Sequence, residues 1–452
     1  MEELLRNSEL LQQRSPLPEQ ESYSDDMSES DEYSGDDPDY GSGRQAEDDY
    51  STSLQAMDLQ TLETDNASSP YSYAFRIDAF TRKVSSLEGE FQNLGQGKYL
   101  RQDAGTSVPI EEVAIDPHLG DYLIDYYFRE LWPLFPIIDQ DAFYAQLRDS
   151  RPPIPNSLLC AIYFASASII SQLSRFTDGQ AGSPASSLSP RSIPPLPPGI
   201  LDSLRSNLTN VIATLSSPIL EARITTLQTL ILRCLYDQSL AIEKRTALIS
   251  DTVRIAQYIL LHRSIAGLSS HDISLRQHLW WTIFVLEVWT SAFSRTPSTL
   301  DLAEIDIQMP IESQEPDHQA YTSLVALTRI LLDTLRSLYS PTVQLEDMGR
   351  EVTRLRDWVM QWYCNLPGDL LVRETTSSES ADFLLAGCHA VLLLVYGPFS
   401  GEDLVRMEME RSRGIITDAL GRLGGNVRKF GIVASLISEM ARKFGSWQQS
   451  GN

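Results

Sequence analysis

Leu275–Pro310 reads LRQHLWWTIFVLEVWTSAFSRTPSTLDLAEIDIQMP, and the way its first half folds decides the class of the whole chain. From Leu275 to Ser294 neither glycine nor proline interrupts the run, which carries three tryptophans and two phenylalanines. Wound as a helix, Leu279, Ile283, Leu286 and Phe293 fall near one face, while Trp280, Phe284 and Glu287 share another. A helix with two apolar faces is sandwiched between neighbours and cannot lie on a surface. Burying each ring contributes about 1.5–3 kcal/mol. A carboxylate in that setting is costly unless it meets donors or an arginine, so Glu287 needs partners. Pro297 then ends the helix and turns the chain. The segment reads as the central strut of a helical domain; the alternative is that its aromatic side chains line an effector pocket.

Working outward, the same helical texture recurs. Asp116 is a candidate N-cap with Pro117 at the first helical position, opening DPHLGDYLIDYYFRE. The two prolines of LWPLFPII, Leu131–Ile138, stop a helix and give an apolar turn. Helices are expected over Ile154–Phe176, Leu201–Thr214, Ile219–Tyr236 and Ile242–His262. Beyond Pro310 come Tyr321–Leu338, Val343–Tyr363, Ala381–Tyr396, Glu402–Leu423 and Val427–Trp447. Alternating strand patterns are scarce, and no repeat of fixed period stands out. The fold class is therefore all-α: a large multi-helix domain of packed antiparallel helices, preceded by a disordered acidic N-terminal region. The longest apolar stretch, Leu158–Ile170, falls short of the roughly 20 residues that span a bilayer. The N-terminus has no basic lead with an apolar core of the secretory kind. We therefore expect an intracellular protein without membrane contact.

The charge of the 452-residue chain is −25, and it is unevenly spread. Residues 1–70 hold nineteen acidic against three basic side chains. Residues 1–72 are rich in Ser, Asp, Glu, Gln and Pro, too polar to offset chain entropy by burial. Within this leader, YSTSLQAMDLQTL places Leu54, Met57, Leu59 and Leu62 among acidic and polar neighbours. Acidic-apolar alternation of this kind keeps aliphatic groups in water and available to a shallow partner groove. The leader is thus a candidate activation segment, or simply a solvated tail. Gly179–Gly199, rich in Pro, Ser and Gly, is expected to loop out of the helical domain. Only five lysines occur in the chain. Without a basic patch, direct nucleic-acid binding is not expected.

Chemistry-bearing constellations are missing from the pattern. Cys160, Cys234, Cys364 and Cys388 are widely spaced in apolar helical contexts and read as free buried thiols rather than zinc ligands. The six histidines form no metal-ligand spacing. There is no H-E-x-x-H, no G-x-S-x-G, no phosphate loop and no G-x-G-x-x-G. No enzyme, cofactor or metal site is expected.

The opening stretch nevertheless resembles the fungal-specific transcription factor domain, the middle homology region of the fungal zinc-cluster regulators. The resemblance rests on Arg276, Leu279-Trp280-Trp281, Glu287, Ser291, Pro297 and the IDIQMP segment with Asp306 and Pro310. It also rests on the entry motif Tyr127-Phe128 with Trp132-Pro133-Leu134-Phe135-Pro136, and on ITTLQTLIL, Ile224–Leu232. The chain departs from the family pattern in three ways. The paired arginines become Leu275-Arg276-Gln277, the usual Asp is Glu287, and the Gly-Arg-Pro turn reads Arg295-Thr296-Pro297. The six clustered cysteines and basic linker that family members use to read DNA do not occur here. The resemblance implies a homology domain over residues 109–340, a helical continuation over 341–452, and a nuclear regulator of transcription. Lacking a DNA-reading module of its own, it would act through protein partners: the transcriptional machinery and a DNA-bound regulator, activating or repressing. Dimerisation stays open. The alternatives are a truncated form of a DNA-binding zinc-cluster factor, or a non-transcriptional helical scaffold or small-molecule sensor.

Overall fold

The computed structural model describes residues 115–149, 153–178, 196–214, 223–310, 316–340, 345–372 and 377–447. The acidic leader 1–72, with Leu54, Met57, Leu59 and Leu62, lies outside the described residues, as does all but the end of loop 179–199. Among the described residues every regular element is helical and no strand occurs, so the fold is all-α.

Twelve α-helices are described. They are α1 Pro117–Tyr126, α2 Gln140–Asp149, α3 Asn156–Asp178, α4 Ile200–Thr214, α5 Ile224–Tyr236 and α6 Ile242–Tyr258. After these come α7 Ser270–Ser294, α8 Pro316–Tyr339, α9 Leu345–Cys364, α10 Glu379–Tyr396, α11 Asp403–Leu423 and α12 Gly431–Trp447. Asp116 caps α1, its Oδ1 accepting from His118 N at 2.8 Å with Pro117 at the first position. Ser269 caps α7 in the same manner, accepting from Asp272 N at 3.1 Å.

Helix α7 is the axis of the assembly. Every residue from Leu279 to Ala292 is buried, because α5, α6, α8 and α12 all pack against it. Buried hydroxyls tie it to α8 within this apolar contact: Thr282 and Tyr321 share a hydrogen bond at 3.1 Å, and Trp289 Nε1 donates to Thr328 Oγ1 at 3.0 Å. Helices on both sides of residue 340 feed one continuous core. Two helices, over Asn156–Leu173 and Glu379–Phe399, are apolar and long enough to cross a bilayer, but 61% and 72% of those spans are buried inside the protein. They are core helices.

Two buried arginines close the helix layer. Arg245 on α6 donates to the carbonyls of Cys234, Asp237 and Leu240, at and just beyond the C-terminus of α5. Arg276 on α7 donates to Ile259 O and Leu260 O, just past the end of α6. Each places a cation against carbonyls that a helix leaves unbonded at its negative end. Burial lowers the Arg276 guanidinium to about 10.

Three expectations need correction. Cys364, at the last turn of α9, is exposed, whereas Cys160, Cys234 and Cys388 are buried; burial pushes the thiols of Cys160 and Cys234 up to about 12. The last helix does not run unbroken from Val427. Gly424–Phe430 forms a 3₁₀ segment, and α12 starts at Gly431 with φ +60°, a conformation natural only to glycine. Third, α6 ends at Tyr258 rather than His262, because Leu260 turns to φ +55°.

Burial holds three histidines neutral. His262, His278 and His389 are each lowered from 6.5 to about 4, chiefly by desolvation and secondarily by Arg263, His318 and Arg411 respectively. In the unfolded chain these rings take a proton near the ordinary value; in the folded protein they resist it until about 4. Their contribution to stability is therefore complete above the ordinary value and is lost as pH falls towards 4. Urea unfolding at a series of pH values is expected to show the midpoint dropping through that window, and His389→Asn is expected to flatten part of the drop.

Candidate functional site

The motif residues of the central stretch and of the entry turn do not converge on one point. Each acts as a bracket between a helix and a loop. Trp132 Nε1 donates to Ile138 O at 2.6 Å, closing the turn that Pro133 and Pro136 create after the π-turn Tyr127–Leu131. Trp281 Nε1 donates to Gln308 O at 2.9 Å, and so pins the segment that ends at the buried Pro310. Asp306 Oδ1 accepts from Ser264 N at 2.6 Å, and its own backbone N donates to His262 O at 3.2 Å. Trp280 is 1% exposed and packs on His262, with ring centroids 5.5 Å apart. None of these tryptophans is among the residues that line the cavity described below.

Glu287 is the strongest bracket. Its carboxylate, 4% exposed, accepts from Ser298 Oγ at 2.7 Å, Thr299 N at 2.6 Å, Thr299 Oγ1 at 3.0 Å and Ser291 Oγ at 3.3 Å. Hydroxyls and a backbone amide, and no arginine, satisfy it. The chain leaving α7 is thereby folded back on the helix it has just left. Arg295 makes the reversal: it is the C-cap, at φ +57° and ψ +33°, and Thr296 N donates to Ser291 O at 3.2 Å. Glycine takes this left-handed conformation without penalty, whereas a side chain pays for it. The departure from a Gly-Arg-Pro turn thus falls on the residue whose backbone most favours glycine.

This reversal forms one wall of a cavity of about 520 Å³. Its lining comes from the end of α7 with the turn 295–298, the last turns of α8, Leu394 of α10, and the Met440–Phe444 stretch of α12. The floor is apolar: Ala292, Leu332, Leu394, Met440 and Phe444 are each at most 6% exposed. The rim is cationic. Lys443 Nζ stands 3.9 Å over the Phe293 ring. Arg336 donates to Leu300 O at 2.6 Å and pairs with Asp301 at 3.3 Å. Arg295 completes the rim, and among the described lining residues none is acidic. A cavity of this volume is in the range of small-molecule sites, about 300–1,000 Å³.

Of the residues singled out by sequence, Ser291, Phe293 and Pro297 line this cavity, together with Arg295 and Thr296 of the turn. In the sequence Arg295 stands out only as a departure from the Gly-Arg-Pro turn, and Arg336, Lys443 and the α12 wall carry no motif. Among the described residues, no group of three or more His, Cys, Asp and Glu stands together in a way that could hold a metal ion.

Glu287→Ala is expected to strand several donors and lower stability by about 3 kcal/mol. Arg295→Gly is expected to raise it by about 1 kcal/mol, by relieving the left-handed residue. Midpoints of urea unfolding for the two variants check both signs.

The model of the fungal-specific transcription factor domain matches residues 124–363. A curated relative, the transcriptional activator protein acu-15 of Neurospora crassa, is 21% identical over 362 residues, which is 73% of this chain and 37% of that protein. The chain therefore spans little more than a third of the length of that relative. No solved structure matches.

Proposed function

Because the chain belongs to the fungal-specific transcription factor domain family, we propose that it is a nuclear regulator of transcription whose helical body is a platform for protein partners and whose acidic leader engages the transcriptional machinery. The single observation that carries this reading is the family match over residues 124–363, which spans α7 and all of its brackets. The family is one of transcription factor domains and not of enzymes. Three further features support the reading. Among the described residues the motifs nominate no catalytic constellation. Nineteen acidic residues crowd the leader, and the Leu54–Leu62 segment offers aliphatic groups among them. The chain also holds few lysines, and on this reading DNA contact falls to a partner, a DNA-bound regulator.

A second reading has its own support. Since the chain covers 37% of a transcriptional activator, it also suits the regulatory part of a longer DNA-binding factor. The two readings share the same effector output and differ in what brings it to DNA.

The test fuses the full chain to an unrelated DNA-binding domain upstream of a reporter in a fungal host. Reporter output is expected to change several-fold, and a fluorescent fusion is expected to concentrate in the nucleus. Replacing Leu54, Met57, Leu59 and Leu62 with alanine is expected to remove most of an activating effect. A silent reporter from a well-expressed fusion would sink the proposal.

A further inference from the structure

The cavity behind the α7 reversal has a composition that the rest of the chain does not lead one to expect. The protein carries 61 acidic and 36 basic side chains, with only five lysines. Yet Arg295, Arg336 and Lys443 gather on one rim, where Asp301 pairs with Arg336 from beside the cavity and none of the described lining residues is acidic. Two of the cations are held in place: Leu300 O and Asp301 hold Arg336, and the Phe293 ring seats Lys443, while the cap at Arg295 sets only where its side chain leaves the backbone. Preorganised charge of this kind lowers the ordering cost of binding an anion. The floor below, built on Leu332, Leu394 and Phe444, offers nothing to a polar body.

The geometry points to this cavity as the binding site for a single amphiphilic monocarboxylate, with its acid group among Arg295, Arg336 and Lys443 and its hydrocarbon part on the apolar floor. A nucleotide or sugar phosphate would strand hydroxyls against that floor, at a cost for each unpaired polar group. A neutral hydrocarbon would fill the floor and gain nothing from the rim. Only a ligand that is charged at one end and apolar at the other uses both. Such a ligand would join the ends of α7 and α8 to α10 and α12, and would stabilise the folded body by mass action. This inference goes beyond the transcriptional reading and does not need it, since binding is read directly on the purified protein.

The experiment titrates sodium decanoate, below its micelle-forming concentration, into the full chain by isothermal calorimetry. Decan-1-ol serves as the neutral probe of equal length. Decanoate is expected to bind one to one and to raise the melting temperature, and decanol to bind at least about tenfold more weakly. Lys443→Met and Arg295→Gln are each expected to weaken decanoate by about tenfold and to leave decanol unchanged. Circular dichroism and the melting temperature without ligand establish that both variants fold. Equal affinity for decanol and decanoate would overturn the assignment, as would wild-type affinity in both folded variants or the absence of one-to-one binding.

Discussion

A helix buried on every side has no water to satisfy what its side chains and its ends leave open. That constraint governs α7, where Leu279 to Ala292 are all inaccessible. Its apolar rings favour burial, but Glu287, Thr282 and three indole nitrogens go inside with them. Partners are supplied from loops and neighbouring helices: Ser298 and Thr299 for the carboxylate, Tyr321 for the hydroxyl, Thr328 and Gln308 O for two of the indoles. On α7 the Trp280 indole N–H, the Thr290 hydroxyl and Arg276 Nε meet no protein partner. Loops that would otherwise wander are fixed because they must serve the axis. The polar residues of the central stretch therefore act as fasteners, and the aromatic ones as mass.

The same rule explains two of the buried arginines, Arg245 and Arg276. A helix ending inside the protein presents unbonded carbonyls, and Arg245 and Arg276 reach those of α5 and α6 from the next helix along. Each successive helix thus closes the end of one before it. Further out, Lys429 bridges Glu130 and Glu379 at 2.9 and 3.3 Å, so three distant parts of the chain meet at one ammonium.

Much of this was legible in the sequence. The Asp116-Pro117 start and the sandwiched character of the tryptophan helix follow from local rules of capping and periodicity. The end of α7 before Pro297 follows from proline's chemistry. Other features follow from tertiary context that spacing does not record. Arg245 sits in the polar-looking run IEKRTALIS, and nothing there marks it as buried; only the approach of α5's end does so. Cys364 reads as one more apolar cysteine, but α9 presents it outward. The break at Gly431 is invisible to hydrophobic periodicity, because the signal is a backbone angle. The cavity was harder still. Its walls come from four helices spread over more than a hundred residues, and its charge depends on three basic side chains with no common motif.

The wall that α12 contributes to α7 also carries a consequence for biosynthesis. The ribosome delivers Gly431–Trp447 long after Ser270–Ser294, so the tryptophan helix emerges and waits with one flank uncovered. Throughout that interval this flank of the nascent chain stays open, and it is covered only once Gly431–Trp447 has emerged. A chain stopped before Gly431 would lack the wall that α12 gives to α7, and apolar surface left open in this way favours aggregation over folding.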